Sequence, residues 1–354
     1  MRRRRLLASG GLALGVGLAG CLDSLTGGGS GRPTQARVED PPDAVYVPTH
    51  VEGMEMAGMA RDGRLRFALS YSFPHAFWLV TGDRRRTVDI READSVHLMV
   101  SAWDSETGMA LPTSNATVSI SQDGEAVVEK SLWAMLSQNM GVHLGDNVAL
   151  PGEGTYDVAL AFGPPEARGI GDLAGALADS ASGTFQLEYS PSTLSDLPYE
   201  TFPDRQGERD AVEPMEMEMQ PTGQLPPAGD LPGRALGEGT SGDATVVAQA
   251  LDAVPAGVEG EGTYLAVSAR TPHNRYPVPL MALSATLSRG SRTVFDGELT
   301  GAIHHELGYH YGAVVDGVEA DDELTIGVDA PPQMARHEGY ETAFLEMDSV
   351  SLSV

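Results

Sequence analysis

Apolar and polar residues alternate with a period of two along much of this 354-residue chain, the pattern of strands that bury one face. Leu65, Phe67, Leu69 and Tyr71 alternate with Arg66, Ala68 and Ser70. Val96, Leu98, Val100 and Ala102 do the same, as do Tyr156, Val158, Leu160 and Phe162 and, later, Leu324, Ile326 and Val328. Gln122-Asp123-Gly124 and Arg289-Gly290-Ser291 mark hairpin turns between such runs. One stretch, Ile170 to Leu177, has helical character. Short strands with frequent turns predict an all-β fold of antiparallel sandwiches.

A second period lies above the first. His97-Leu98-Met99-Val100-Ser101-Ala102 matches Tyr264-Leu265-Ala266-Val267-Ser268-Ala269 at an offset of 167 positions (264 − 97). The same offset relates Gly141-Val142-His143-Leu144-Gly145 to Gly308-Tyr309-His310-Tyr311-Gly312, Pro164-Pro165 to Pro331-Pro332, and Val148 to Val315. One register held from end to end predicts an internal duplication, so that two tandem sandwich domains share a fold. The first is expected over 43–190, with the 170–177 helix as its own insertion, and the second over 243–354. Residues 191–242 between them are rich in Pro, Gly and acid, with few apolar side chains to repay ordering entropy, and predict an irregular acidic linker. Within it, Met215-Glu216-Met217-Glu218-Met219 reads either as a tract that hands on a metal ion or as a partly docked strand.

Residues 1–20 read as an export signal rather than as part of the fold. Arg3-Arg4-Arg5-Leu6-Leu7 fits a twin-arginine pattern, and the apolar run Leu6 to Leu18 is short for a bilayer span. Leu18-Ala19-Gly20-Cys21 matches a lipobox in which Cys21 would carry lipid; the alternative is a plain signal anchor. Residues 21–42 then form a Gly- and Ser-rich tether. Cys21 is the only cysteine, which excludes an intramolecular disulfide and a thiolate metal site.

The chain has 50 acidic and 23 basic residues; without Arg2, Arg3, Arg4 and Arg5 the mature charge is 19 − 50 = −31. Lys130 is the one lysine of the mature chain. Such a surface is expected of a halophilic protein and repels phosphates, which excludes nucleic-acid binding. No nucleophile elbow, phosphate loop or dinucleotide fingerprint is present. In His304-His305-Glu306-Leu307-Gly308-Tyr309-His310 the histidines at 305 and 310 stand five apart, whereas a zinc-protease helix needs four. An enzyme is not expected.

The remaining candidate chemistry centres on Trp133-Ala134-Met135-Leu136-Ser137-Gln138-Asn139-Met140-Gly141-Val142-His143. Thioether sulfur and imidazole nitrogen suit a soft or borderline ion such as copper and suit magnesium or calcium badly. The competing reading makes Met135 and Met140 core filler and His143 a satisfied loop histidine. The stretch resembles the periplasmic ferrous-iron transport protein family, in which a methionine precedes a His-aromatic-Gly triplet and a Gly-rich turn into a strand. Here these are His143-Leu144-Gly145 and Pro151-Gly152-Glu153-Gly154-Thr155-Tyr156, with Gly53-Met54-Glu55-Met56 matching the family's opening phrase. The likeness covers about residues 45–165; the Met135-to-His143 gap is one residue longer than usual, and Leu144 replaces the aromatic.

That resemblance implies an immunoglobulin-like sandwich holding a metal near an iron permease. It makes His75 a second imidazole, against the alternative of a histidine stacked with Phe77 and Trp78. The family's further histidine, late in the domain, has no counterpart between His143 and His273, so His97, on one strand face with Met99, or Glu55 would substitute. The second repeat keeps His310 but carries Ala302 and Leu307 in place of Met135 and Met140, a degenerate copy. The reading is a non-enzymatic lipoprotein on the extracytoplasmic face of the membrane. It binds a copper or iron ion through His75, His97, Met135, Met140 and His143; its partners are an iron permease, the membrane through the Cys21 anchor, and a second copy of the chain. The rival is a structural or adhesive surface protein whose Met and His residues serve packing. Cys21→Ser is expected to release the protein from membranes or leave its precursor unprocessed; normal processing with unchanged membrane association, read by cell fractionation, would contradict lipidation.

Overall fold

Each alternating run forms a strand: Leu65–Ser72, Val96–Asp104, Gly154–Pro165 and Glu323–Ala330. The structure, a computed structural model, describes residues 36–217 and 219–354. The expected signal, Cys21 and the first part of the expected tether lie outside the described residues. Among those described, no helix is long and apolar enough to cross a membrane. The described residues form one compact unit, and its architecture is all-β.

In the first half an eight-stranded sheet runs in the order Glu55–Asp62, Leu65–Ser72, Val96–Asp104, Gly141–Val148, Trp133–Ser137, Ala335–Arg336, Phe77–Thr81, Arg84–Val88. A four-stranded sheet, Ala181–Tyr189, Gly154–Pro165, Ser114–Gln122, Glu125–Ser131, lies against it. The apolar residues of the alternating runs meet between the layers, with the Phe67 and Phe162 rings 5.1 Å apart. At the hairpin after Gln122, Asp123 and Gly124 both take positive φ (52° and 84°), the backbone of a tight two-residue turn.

In the second half the 13-residue strand Arg292–His304 serves two layers. Its first part pairs with Ala282–Arg289 and its last with Gly308–Val315. The sheet curls until its first and last strands touch: a Cβ on Gly239 would lie 2.3 Å from the Val350 side chain. Glycine is what permits that approach.

The two halves complete each other's sheets. Arg168–Gly169 leaves the first half and pairs in parallel with the second, Arg168 opposite Ala302 and Gly169 opposite Ile303. Ala335–Arg336 leaves the second half and pairs in parallel with the first, Ala335 opposite Met135 and Arg336 opposite Leu136. All four positions keep the 167-residue offset (335 − 168 and 302 − 135). The next amide closes each pairing in the same way: Ile170 N–H donates to Ile303 O and His337 N–H to Leu136 O, both at 3.0 Å. A Pro-Pro pair, which has no N–H to continue a ladder, precedes each crossing segment.

Arg336 fixes the second crossing. Its side chain is fully buried, its guanidinium donates to the carbonyls of Pro332, Tyr340, Ala343 and Phe344, and it lies over the Phe344 ring. Burial pulls its pKa down to about 9.

The helix expected over 170–177 is absent. Only a 3-10 turn, Gly171–Leu173, forms there, because Gly171 and Gly175 take φ of 63° and 73°, outside the right-handed helical region. Within 191–242 the chain makes a short helix, Pro191–Ser195, capped by the Ser190 side chain, and a strand, Tyr199–Thr201, paired with His50–Glu52. The second half's first strand already begins at Arg234. The irregular remainder is docked, with Val212, Gln220, Leu225 and Leu231 buried.

The reciprocal exchange has a direct consequence. Residues 36–220 and 221–354 expressed separately should each give a poorly dispersed amide spectrum, because each lacks a strand and a share of the common core. Mixing or co-expression should restore a folded pair. Two independently well-folded halves would contradict this account.

Candidate metal centre

Four histidines converge beside the crossing segment. His75 lies in the loop between Leu65–Ser72 and Phe77–Thr81, His97 on Val96–Asp104, and His143 on Gly141–Val148. His337 follows Ala335–Arg336. The ladder aligns them: His97 stands opposite Ser72 and Asn147, and His143 opposite Met135. Ring centroids are 4.0 Å apart for His75 and His97, 4.6 Å for His75 and His337, 5.2 Å for His143 and His337, and 5.4 Å for His97 and His337. Ring nitrogens of His75, His97 and His337 lie within 4.8 Å of one another.

A methionine completes the set. A Cβ on Gly145 would lie 3.0 Å from His97 Nε2 and 3.3 Å from Met135 Sδ, so that glycine leaves room for nitrogen and sulfur to share one small space. Met140, Met99 and Met54 line the adjoining cavity of roughly 90 Å³ with Glu52, His75, His143 and His337.

Hydrogen bonding sets the tautomers. His97 Nδ1 is 2.9 Å from Asn147 Oδ1, which also accepts from the backbone N–H of His75, while Asn147 Nδ2 donates to His75 O. These contacts fix the amide's orientation and make Nδ1 of His97 the protonated nitrogen. His143 Nδ1 faces Gly141 O at 3.2 Å, and His75 Nδ1 faces Phe73 O at 3.1 Å and Glu52 Oε2 at 3.3 Å, acceptors in every case. The proton therefore sits on Nδ1 in all three, and Nε2 presents a lone pair. Nε2 of His75, His97, His143 and His337 is buried without a hydrogen-bond partner among the described residues. Four such atoms together are costly for an ordinary core, at about 1–3 kcal/mol each. They fit a cation.

Electrostatics point the same way. Burial drives the pKa of His97 and His337 well below the ordinary value, helped by the neighbouring imidazoles, and brings His143 down to about 4. These three rings are neutral at physiological pH and need not lose a proton to bind a metal. Burial works to raise Glu52, but hydrogen bonds from His50 and His75 outweigh it and hold this carboxyl at about 2.

The matching place in the second half is filled. His310, the counterpart of His143, has its Nε2 3.0 Å from the Tyr264 hydroxyl, and Tyr264 is the counterpart of His97. The space that Gly145 leaves open is occupied at Gly312, where a Cβ would lie 2.2 Å from the Tyr264 oxygen. Ile170, Ala302 and Leu307, at the offsets of His337, Met135 and Met140, join Tyr264 in a buried apolar cluster.

All five residues expected from the sequence, His75, His97, Met135, Met140 and His143, thus lie at or beside one cavity. His337 was missed, and it comes from the other repeat. Glu55 does not line the cavity, and the carboxylate beside His75 is Glu52. The Met215 amide donates to Asn139 O, and Met215 lines a second cleft that shares Val51, Glu52, Gly53, Met54 and Asn139 with the first.

Residues 88–193 match the family described as Fe2+ transport protein. Residues 229–353 match a family described as a domain of unknown function, DUF7350. No curated protein matches the chain. Among solved structures, similarity is found to a copper-bound variant of FetP from uropathogenic Escherichia coli strain F11, with 19% identity over 38% of this chain and 97% of that one and a TM-score of 0.30. The copper-reconstituted P19 protein of Campylobacter jejuni gives 17% identity over 39% and 97%, with a TM-score of 0.32.

The lowered histidine pKa values set a pH dependence. An unfolded histidine binds its proton near pH 6.5, the buried His143 only near 4. Between these values the unfolded chain holds more protons, so stability falls as pH falls. The metal-free protein's melting temperature should drop steadily from pH 6.5 towards 4, and less steeply in His97→Ala and His143→Ala. An identical slope in those variants would show that other groups govern acid unfolding.

Proposed function

We propose that the chain is a metal-binding accessory of iron uptake that holds one copper ion between its two immunoglobulin-like halves, through His75, His97, His143 and His337 with Met135. The supporting observation is the set of four buried Nε2 atoms without partners, three with their tautomer fixed, around a thioether. Imidazole and thioether donors suit copper, with ferrous iron as the weaker alternative. Met140 lies at the mouth as an auxiliary sulfur. The match of residues 88–193 to the Fe2+ transport protein family supports a role beside an iron permease. A lipid anchor at Cys21 would hold the protein on the extracytoplasmic face. The reading is non-enzymatic.

Copper titration of the full chain, followed by equilibrium dialysis and absorption, tests the site. Wild type should bind about one copper ion per chain, and His143→Ala and His337→Ala should each weaken binding by roughly a hundredfold or more. Met135→Leu should weaken it less, since that swap nearly preserves volume. His310→Ala should bind as wild type, because Tyr264 already occupies the space beside it. Equal losses from His143→Ala and His310→Ala would mean general destabilisation, and no copper bound by wild type would leave the structural or adhesive reading.

A further inference from the structure

Where the first half has Ser137, Gln138 and Asn139 at the mouth of its cavity, the second has His304, His305 and Glu306, again 167 positions on (304 − 137). In the first half this corner is locked internally. Gln138 donates to Tyr46 O and Gly339 O and accepts from Val212 N–H. In the second half the three side chains bring their donor atoms within 4.8 Å of one another. The His305 ring lies between two carboxylates, with Nδ1 3.4 Å from Asp172 Oδ2 and Nε2 3.9 Å from Glu306 Oε2. His304 Nδ1 accepts the backbone N–H of Glu306 at 3.2 Å, so in the neutral ring the proton sits on Nε2 and Nδ1 carries the lone pair that a cation would take over from that amide. Nε2 packs against Gly171, where a Cβ would lie 2.6 Å away.

Asp172 arrives from the other half. It sits in the Gly171–Leu173 turn just after the crossing segment Arg168–Gly169. Donors from both halves therefore meet here, as they do at the buried histidines, but the chemistry differs. Sulfur is absent, two carboxylates are present, and Asp172 and Glu306 are exposed, at 76% and 56% of their side-chain area. We propose that His304, His305, Glu306 and Asp172 form a second, rim cation site that takes a borderline divalent transition ion, the ferrous class, in contrast to the soft-ion site of the first half. Two imidazoles with carboxylate oxygens are a donor set suited to such ions. The site is independent of the copper reading.

Cobalt(II) alone, a spectroscopic probe of the same class, tests it on the full chain in chelator-treated buffer. The paired substitution Asp172→Asn and Glu306→Gln changes two exposed side chains isosterically and leaves the fold intact. It should remove one bound cobalt ion per chain, or weaken that ion by about tenfold or more, without altering copper binding at the buried histidines. His305→Ala should do the same. Cobalt stoichiometry and affinity unchanged in both variants, or no cobalt ion bound by wild type outside the buried site, would overturn the proposal. A chain that binds cobalt at the rim but no copper would overturn the copper reading and leave this one standing.

Discussion

The buried centre depends on two residues of backbone crossing from one half into the other's sheet. Ala335–Arg336 lies between Trp133–Ser137 and Phe77–Thr81 and pairs with both. Without it the two strands would face each other across a gap with unpaired amides, and His337 would have no route to the other three imidazoles. Arg336 makes the crossing specific. A guanidinium in a low-dielectric interior is expensive, and its lowered pKa reflects that cost. The cost is offset only while the carbonyls of Pro332, Tyr340, Ala343 and Phe344 converge on it. Displacing the loop would leave those carbonyls and the cation without partners at once. One loop conformation is selected, and the adjacent His337 inherits its rigidity, which a site that must hold donors within about 0.5 Å requires.

The same exchange occurs in both directions, yet the two ends have opposite contents. In the first half it delivers an imidazole to three others whose lone pairs already face a common space. In the second it delivers Ile170 to a pocket where Tyr264 satisfies His310 and Ala302 and Leu307 replace the sulfurs. The second arrangement is what a stable core looks like, with apolar surface buried and the one imidazole paired. The first keeps unpartnered polar atoms in the interior, a departure from good packing that a bound ion would repair. At this one buried position, packing and unpartnered donors are thus divided between two copies of one architecture.

Much of this was legible in the sequence, and the gaps have a physical pattern. Period-two alternation found the strands, because each buries one face. The 167-residue register proved to be a register of strand pairing as well: His97 opposite Asn147 corresponds to Tyr264 opposite Val314. His337 escaped because it lies 194 residues beyond His143 (337 − 143), in a repeat treated as closed on itself. Two-residue strands carry no periodicity, so the crossing left no hydrophobic trace. The available signal was the aligned Pro-Pro pair, five residues after which Ile170 in one copy stands against His337 in the other. The expected helix failed on glycine: the chain uses Gly171 and Gly175 for left-handed turns.

The acidic composition gives the site its selectivity problem. A strongly negative surface concentrates every cation, and the common alkali ions outnumber any transition ion by many orders of magnitude. Charge alone therefore cannot choose the occupant. The buried centre relies on donors that hard ions ignore: neutral Nε2 lone pairs and a thioether cannot replace the oxygen shell of potassium, magnesium or calcium. Of the two carboxylates that line its cavity, Glu52 is engaged by His50 and His75 and Glu338 by Val38 and Thr49 rather than offered openly, so the site gains a balancing negative charge without an oxygen ligand that would readmit hard ions. Because burial keeps His97, His143 and His337 unprotonated, protons compete little there either. Discrimination is then a matter of donor softness inside a space that the crossing loop closes, which is why the loop and the donor set have to be understood together.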